Sequence, residues 1–323
     1  MKSGIQEISN DIFMLTLPVI YQLNHVNVFA LVKNGKVSLI DTGPNLPEIF
    51  PILERLLGEI GCQISDIDQI LITHAHADHC GLAGAIQDIS GATVLMSEME
   101  YKKSMVNADM VIESMKSFYR QVGLPDKVIN RGVKPFMVWA NAIHPFMVND
   151  FLVPGEIRRI KNELVEVIGC PGHTTGQVIF FIRERGLLFS GDHVLTDIMT
   201  NLSLDPTVPL FRPLRNYVAS LDHIMGLPVS VVYPAHGKPF TDLMGRIVEI
   251  KAQLDARKNL IMTSVNAGSK TADEISGHIF GVDITAYERI LAFNEIYVYL
   301  LEINSGLAIE RQWVNRESAF IIA

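Results

Sequence analysis

The chain has few cysteines and lacks long apolar runs. Its three cysteines, Cys62, Cys80 and Cys170, are an odd number without the spacing of a disulfide framework, which favours a reducing compartment. We interpret them as small buried hydrophobic side chains, with lining of a pocket or sensing of oxidation as alternatives for Cys80 and Cys170. No stretch approaches membrane-spanning length, and residues 1–8 lack the apolar core of a signal peptide. We therefore expect a soluble, cytoplasmic protein that makes no use of a membrane.

Positive charge is also scarce. Lysine and arginine number 27 against 35 aspartates and glutamates, which gives a formal net charge of −8. This balance argues weakly against a nucleic-acid partner and favours a small-molecule substrate. Hydrophobic residues make up 48% of the 323 residues, enough for a large core in one domain with an appendage or in two domains.

Histidine and aspartate, in contrast, are concentrated in one short segment. His74, His76, Asp78 and His79 fall within six positions. Imidazole and carboxylate groups are ligands that borderline divalent cations such as zinc accept. Any one of these histidines taken singly is most simply an ordinary core or surface residue, but this density of ligand types has few structural uses. The segment therefore predicts a metal site.

Local structure would bring the four side chains together. The apolar run Gln69–Thr73 predicts a short buried strand. If the chain stays extended beyond it, the two-residue period turns His74, His76 and Asp78 toward one side. A helix that begins at about Asp78 or His79 would project His79 from its first turn toward the same pocket.

Three more residues of ligand type, His173, Asp192 and His236, follow apolar runs farther along the chain. Seven ligands exceed the needs of one tetrahedral ion and suit two ions that share a carboxylate and lie roughly 3.5–4 Å apart. The other five histidines are interpreted as structural. They are His25, His144, His193, His223 and His278.

The motif His-x-His-x-Asp-His, followed by a distant histidine, an aspartate and a last histidine, resembles the metallo-β-lactamase superfamily of hydrolases at every position. The resemblance implies two groups of metal ligands that share one bridging aspartate. These are His74, His76 and His173 for the first ion, Asp78, His79 and His236 for the second, and Asp192 between them. Asp41 matches the family's buried aspartate that holds a ligating histidine by a hydrogen bond, with a plain turn or helix-cap aspartate as the alternative.

Strand-like runs and amphipathic segments alternate along the chain, which predicts layered α/β packing. The predicted strands are Ile12–Leu17, Val26–Val32, Lys36–Ile40, Gln69–Thr73, Thr93–Met96, Phe151–Val153, Leu164–Ile168, Val178–Ile182, Leu187–Phe189 and Val229–Val232. Helices are predicted at about 47–60 and 215–225. The resemblance implies an αββα four-layer sandwich with a small, mostly helical C-terminal appendage. We accordingly predict a catalytic domain over residues 1–245 and a helical domain over 246–323.

The insertion, residues 98–150, is rich in methionine and aromatic residues. Part of it carries apolar residues at helical spacing, namely Met105, Ile112, Met115, Tyr119 and Val122. Methionine fills irregular space and adapts to varied shapes, so one hypothesis is a lid over an apolar substrate pocket. A helix packed on the core and a dimer face are the alternatives.

The C-terminal region has two helix-start signals, Thr271-x-x-Glu274 and Thr285-x-x-Glu288. Leu307–Trp313 and Ala319–Ile322 could then pair as a small hairpin. Helices followed by a hairpin resemble the winged-helix-type appendage of lactamase-like endoribonucleases. A helical cap or a dimerisation element is the alternative, and it agrees better with the acidic balance.

By the resemblance, the cofactors are two divalent cations, zinc in the first place and iron or manganese as alternatives. They would lower the pKa of a bridging water so that the resulting hydroxide attacks a carbonyl or phosphorus, while Asp78 orients it and accepts its proton. A thioester or ester is the favoured substrate, because the methionine-rich insertion suits an apolar acyl group. Cleavage of RNA, a mononuclear-iron persulfide dioxygenase and a regulatory protein with a relic site are the alternatives.

Overall fold

The computed structural model describes residues 3–19, 24–204, 208, 211–269 and 271–306, with residues 304–306 described by their backbone alone. Its strands form two sheets. Within the described ranges, the first sheet comprises β1 (Gly4–Ser9), β2 (Ile12–Pro18), β3 (His25–Lys33), β4 (Lys36–Ile40), β5 (Ile67–Leu71), β6 (Thr93–Met96) and β7 (Val148–Phe151). The second comprises β8 (Ile157–Ile160), β9 (Glu163–Gly169), β10 (Val178–Ile182), β11 (Leu187–Gly191) and β12 (Val231–Pro234).

Helices connect and cover these strands. They are α1 (Ile49–Glu59), α2 (Ala77–Cys80), α3 (Ala83–Ser90), α4 (Glu98–Ser104), α5 (Ala108–Gln121), α6 (Asp126–Gly132), α7 (Lys134–Ala140), α8 (Pro213–Ile224), α9 (Leu243–Asn266), α10 (Ala272–Phe280) and α11 (Ala286–Gly306). Strands β1–β4 pair antiparallel, whereas β4–β7 pair parallel. Strands β8–β11 pair antiparallel, and β12 joins β11 in parallel after α8. Within the residues that the structure describes, no helix is long and apolar enough to cross a membrane.

The two sheets face each other across a central core, and helices pack on both outer faces. Strand β10 shows how the sequence produces this arrangement. Phe180 points into the core between the sheets, while Ile179 and Phe181 point into the core beneath the helices. Because side chains alternate along a strand, an uninterrupted apolar run is expected for a strand that is buried on both faces. The packing confirms the predicted αββα sandwich.

Three strands are displaced from their predicted positions. β5 is Ile67–Leu71 instead of the predicted Gln69–Thr73, because the N–H of Thr73 donates to the carboxylate of Asp41 at 2.8 Å. β7 and β12 are also displaced, to Val148–Phe151 and Val231–Pro234. β1 and β8, which flank the sheets, were not predicted.

The helix predicted from about Asp78 onward is two helices, α2 and α3, with a break after Cys80. Gly81 at this break is packed against neighbouring backbone. A Cβ atom there would lie 2.5 Å from the carbonyl oxygen of Ala142 and 2.6 Å from the N atom of Asn45. The close approach explains why a residue without a side chain occupies this position.

The insertion and the C-terminal helices are packed together. The hydroxyl of Tyr119 on α5 and the side chain of Asn294 on α11 form a buried hydrogen bond of 3.1 Å. Gly132 on α6 lies against the backbone of Ala286, where a Cβ atom would approach the carbonyl oxygen to 2.4 Å. Both predicted capping boxes are present, at Thr271 and Thr285. The predicted hairpin lies outside the described residues, and the boundary at residue 245 stays a prediction.

Candidate metal centre

The seven predicted ligands converge where strands of both sheets end. They are His74 and His76 after β5, Asp78 and His79 in α2, His173 after β9, Asp192 after β11, and His236 after β12. Four loops carry these ligands, because β5, β9, β11 and β12 all end at this edge. A fifth loop, which follows β4 and carries Asp41, meets them there. Loops at strand ends are free to curve around a site while the sheets hold them in place.

Three imidazoles form the first group. The Nδ1 atom of His76 lies 3.0 Å from the Nε2 atom of His74 and 3.0 Å from the Nε2 atom of His173. The opposite nitrogen of His173 is directed at the carbonyl oxygen of Asn201 at 2.7 Å, and that of His74 at the hydroxyl of Thr73 at 3.0 Å. With hydrogens on those outer nitrogens, the neutral rings of His74 and His173 both point lone pairs at the same place, as ligands of one cation do.

A second group lies beside the first. The Oδ2 atom of Asp78 is 3.4 Å from the Nε2 atom of His236 and 3.8 Å from that of His79. The outer nitrogens of the two rings are fixed here as well. His236 Nδ1 donates to the carbonyl oxygen of His25 at 2.6 Å, and His79 Nδ1 donates to the carboxylate of Asp41 at 2.8 Å. Both Nε2 atoms therefore face inward.

Asp192 lies between the groups. Its Oδ2 atom is 3.5 Å from the Nε2 atom of His173 in the first group. Its Oδ1 atom is 3.3 Å and 3.4 Å from the Nε2 atoms of His236 and His79 in the second. One carboxylate thus presents a different oxygen to each group, which is the geometry that a bridging ligand requires.

The carboxylate of Asp41 forms hydrogen bonds that orient histidines of both groups. Its carboxylate accepts hydrogen bonds from the N–H and from the hydroxyl of Thr73, both at 2.8 Å, in addition to that from His79. Since the Thr73 hydroxyl donates its hydrogen to Asp41, it is left to accept from His74 Nδ1. Asp41 also has a φ of 60°, a backbone conformation that few residues other than glycine adopt. These contacts favour the predicted supporting role over a plain turn aspartate.

The electrostatic environment of the imidazoles differs between the two groups. Burial, reinforced by the neighbouring imidazoles, lowers the pKa of His74 and of His76 well below the usual histidine range. Burial acts in the same direction on His79 and His236, but the carboxylates of Asp192 and Asp78 outweigh it. They raise the pKa of His79 well above its ordinary value and that of His236 to about 10. The carboxylates thus hold protons where divalent cations would compete for the same nitrogens.

The donor set fits divalent cations. Among the described residues, no well-aligned hydrogen bond reaches the buried Nε2 atoms of His79 and His236 or the Oδ1 atom of Asp192. Buried polar atoms are normally paired by well-aligned hydrogen bonds, and a bound cation would satisfy these atoms together. Imidazole nitrogens and carboxylate oxygens at this spacing are the ligands that zinc and related cations take.

Two side chains near the centre were not singled out from the sequence. The carboxylate of Glu100 on α4 is fully buried and accepts hydrogen bonds from the N–H of Ala75 at 2.8 Å and of Gly176 at 2.7 Å. Lys103, one turn later on α4, lines the same cavity as His76. Glu100 lies in the first turn of α4 and Lys103 in its last turn. Both belong to a polar stretch, and charged residues in such a stretch are usually solvated, so the sequence carried no signal for them.

The histidines that were interpreted as structural lie outside the ligand groups found among the described residues. His193 is buried, packs edge-on against Tyr217 with ring centroids 5.0 Å apart, and has a pKa lowered to about 3 by burial. His25 instead accepts from the N–H of Gly237 at 3.2 Å and so supports the turn that carries His236. All three cysteines are buried, and burial raises the pKa of the Cys80 thiol well above its usual value.

Comparison with known proteins agrees with this geometry. The sequence model of the metallo-β-lactamase superfamily matches residues 21–236. The probable metallo-hydrolase YqjP of Bacillus subtilis (strain 168) is 24% identical over 314 residues, which are 94% of this chain and 96% of that protein. The crystal structure of a metallo-β-lactamase family protein from Thermus thermophilus superposes with a TM-score of 0.83 at 27% identity, covering 95% of this chain and 97% of that one.

The chain belongs to the metallo-β-lactamase superfamily, and its class is that of the metal-dependent hydrolases of this fold. A further relative carries a more specific name. The atrochrysone carboxyl ACP thioesterase of Aspergillus terreus (strain NIH 2624 / FGSC A1156) is 22% identical over 276 residues, which are 85% of this chain and 68% of that protein.

Proposed function

We propose that the protein hydrolyses thioesters, or esters, of apolar acyl groups, with two divalent cations, zinc in the first place, held by the seven converging residues. The observation that carries this proposal is a cavity of about 1520 Å³ that reaches the centre at His76, Asp78, His173 and Asp192. Most small-molecule pockets measure roughly 300–1,000 Å³. The space beside the ligands is therefore large enough for a long acyl chain.

The walls of this cavity are mainly apolar. They include Met115, Phe118, Phe136, Trp139, Met199, Leu202, Leu204, Phe211, Leu260 and Leu291. The insertion contributes one side and the C-terminal helices another. Such a surface binds an alkyl or aromatic chain by removing it from water, at about 25 cal/mol for each Å² of apolar area buried.

Charges on the C-terminal wall are engaged within the protein. The guanidinium of Arg257 contacts the carboxylate of Glu295 at 2.8 Å and lies over the ring of Phe280, 4.5 Å from its centroid. A guanidinium that is committed to a carboxylate and an aromatic face is a poor site for a second anion. This wall suits an uncharged chain better than a phosphorylated one.

The chain's own groups would divide the work at the centre. His74, His76 and His173 would hold one cation, Asp78, His79 and His236 the other, and Asp192 both. Bound divalent cations activate water at neutral pH and polarise a carbonyl group. Asp78, the member of the second group that lines the cavity, can orient the attacking water and accept its proton. The similarity to a protein named as a thioesterase agrees with a thioester as the bond that is broken.

The proposal is tested with the purified protein, stripped of metal and reloaded with zinc, on a series of acyl thioesters from acetyl to dodecanoyl. We expect kcat/KM to rise with chain length, since each added methylene that is buried contributes about 0.8 kcal/mol. No cleavage at any chain length would refute it. Cleavage of single-stranded RNA would then support a nuclease, and oxygen consumption with a persulfide would support an oxygenase.

A further inference from the structure

The buried carboxylate of Glu100 links the two loops that carry the first ligand group. Its Oε2 atom accepts from the N–H of Ala75, which lies between His74 and His76, at 2.8 Å. Its Oε1 atom accepts from the N–H of Gly176, three residues after His173, at 2.7 Å. One side chain therefore ties the loop after β5 to the loop after β9.

The contact between α4 and the second loop is tight. Ser97, which caps α4, donates to the carbonyl oxygen of Gly176 at 2.6 Å and accepts from the N–H of Glu100 at 3.3 Å. A Cβ atom at Gly176 would lie 2.6 Å from the Cβ of Met99. With this little free space, the position of α4 fixes the position of the loop that holds His173.

We propose that Glu100 is a positioning residue that sets the distance between His76 and His173, and through it the affinity of the first cation. This inference rests on the proposed metal-binding role of the centre. The second group owes its orientation to other atoms, the carboxylate of Asp41 and the carbonyl oxygen of His25, and has no hydrogen bond to Glu100 among those of the described residues. Loss of Glu100 should therefore act on one cation and spare the other.

The structure also explains why this position needs a carboxylate. Two N–H donors converge on it from opposite loops, and a carboxylate supplies an acceptor oxygen to each. Glutamine has the same size but only one acceptor oxygen, so its amino group would face an N–H donor. Glu100→Gln thus removes one of the two hydrogen bonds without changing the volume of the side chain.

Glu98 provides a matched control. It lies in the first turn of the same helix, is exposed, and pairs with Lys102 at 2.8 Å. Glu98→Gln removes one negative charge from α4 by the same chemical change but touches neither ligand loop. An effect of Glu100→Gln that Glu98→Gln also shows would come from charge or from the helix, and it would count against the proposal.

The experiment measures cobalt(II) binding to the metal-free protein by calorimetry and by the visible spectrum of the bound ion. In Glu100→Gln we expect the affinity of one cation to fall about 10- to 100-fold, the range typical of groups that support metal ligands. The other cation should keep its affinity, and Glu98→Gln should bind both as the unaltered protein does. Equal loss of both cations, or no loss of either, would overturn the proposal.

Double variants identify the cation that is affected. In His236→Ala the first group remains complete, so adding Glu100→Gln should still weaken the cation bound there. In His76→Ala the first group is broken, so adding Glu100→Gln should leave the remaining cation unchanged. The opposite pattern would place Glu100 in the second group and contradict the inference.

A measurement on the metal-free protein covers the case in which Glu100→Gln binds metal poorly because its fold is damaged. Hydrogen exchange should accelerate at Ala75 and Gly176 and stay unchanged in β10 and β11. Accelerated exchange throughout both sheets would refute a local positioning role. Cation binding is measured without substrate, so failure of the thioester assay would refute the proposed reaction and leave this result standing.

Discussion

The inner nitrogens of the centre are directed by hydrogen bonds on the far sides of the rings. His79, His173 and His236 each direct Nδ1 at a protein oxygen, at 2.8, 2.7 and 2.6 Å. A hydrogen on Nδ1 leaves Nε2 as the nitrogen that can bind a cation, so these contacts determine which ring nitrogen serves as the ligand. At the residue scale, cation affinity therefore depends on the side chains that support the ligands as well as on the ligands.

Asp41→Asn tests this support. Asparagine tolerates the positive φ of this position and keeps the size of the side chain, but it has one acceptor oxygen for the three donors that Asp41 now serves. We expect the affinity for divalent cations to fall about 10- to 100-fold. Metal content after dialysis at limiting zinc measures the effect. Unchanged content would show that the orientation of His79 does not depend on Asp41.

Removal of a ligand should have a larger effect. His76→Ala and Asp192→Asn should each abolish turnover, because the first breaks one group and the second removes a charge shared by both. The fold should persist, since both residues lie in loops at the ends of strands. His223→Ala, on the exposed face of α8, is the control and should keep full activity. Retention of activity in either ligand variant would refute the proposed assignment.

The convergence of the seven residues was predictable from the sequence because metal binding imposes a pattern of residue types. That pattern is visible in the sequence as three histidines and an aspartate within six positions, followed by His173, Asp192 and His236. Glu100 carries no such pattern. It differs from the exposed Glu98 only in what the fold places beside it, and this depends on a contact with Gly176, 76 residues away.

At the scale of elements, α5 shows why the sequence left several hypotheses open for the insertion. Ile112 and Tyr119 are buried in the core shared with α11, and Met115, Phe118 and Tyr119 line the cavity. A single apolar stripe thus packs on the core and lines the cavity. Met105, which fits the same spacing, is exposed. Periodicity identifies an apolar face but does not say whether that face meets protein or ligand.

Met115→Trp tests the wall that α5 provides. The larger side chain would occupy space in the cavity, so kcat/KM for dodecanoyl thioesters should fall about tenfold, which corresponds to about 1.4 kcal/mol. Activity on acetyl thioesters should stay within twofold, because a short chain need not reach this wall. Met110→Trp, at an exposed position of the same helix, is the control. Equal losses on short and long chains would indicate damage to the centre instead.

The edge strands β1 and β8 were not predicted from the sequence. β8 carries two arginines within four residues, and β1 has little buried surface. Both lie at the edge of their sheets, where polar residues are common because one side of the strand has no partner in the sheet. Strands that are buried on both faces were easier to predict, since a continuous apolar run is compatible with few other structures.

At the scale of the whole molecule, α9, α10 and α11 share a core with the second sheet and with α5 and α6. These C-terminal helices also contribute Arg257, Phe280 and Leu291 to the cavity. The division at residue 245 therefore marks a change in composition more clearly than a break in packing. The cavity that we propose for the substrate is therefore lined by both the insertion and the C-terminal helices.

The metal-free protein should release protons when it binds divalent cations. Against the opposing effect of burial, the neighbouring carboxylates raise the pKa of His236 to about 10 and that of His79 well above its ordinary value, which favours a proton on both rings. A cation binds only the deprotonated nitrogen, so the bound state holds fewer protons than the free state. Cation affinity should therefore rise with pH across the neutral range and level off only near the pKa of His236.

Calorimetric titrations with zinc at pH 7, in two buffers of different ionisation enthalpy, count the protons released. We expect between one and two for each protein molecule, and about one fewer in His236→Ala. Because the cations bind the folded chain, zinc should also raise the melting temperature, by a larger amount at pH 8 than at pH 6. Zinc binding without proton release, or with an affinity that falls as pH rises, would contradict the charge distribution described for the centre.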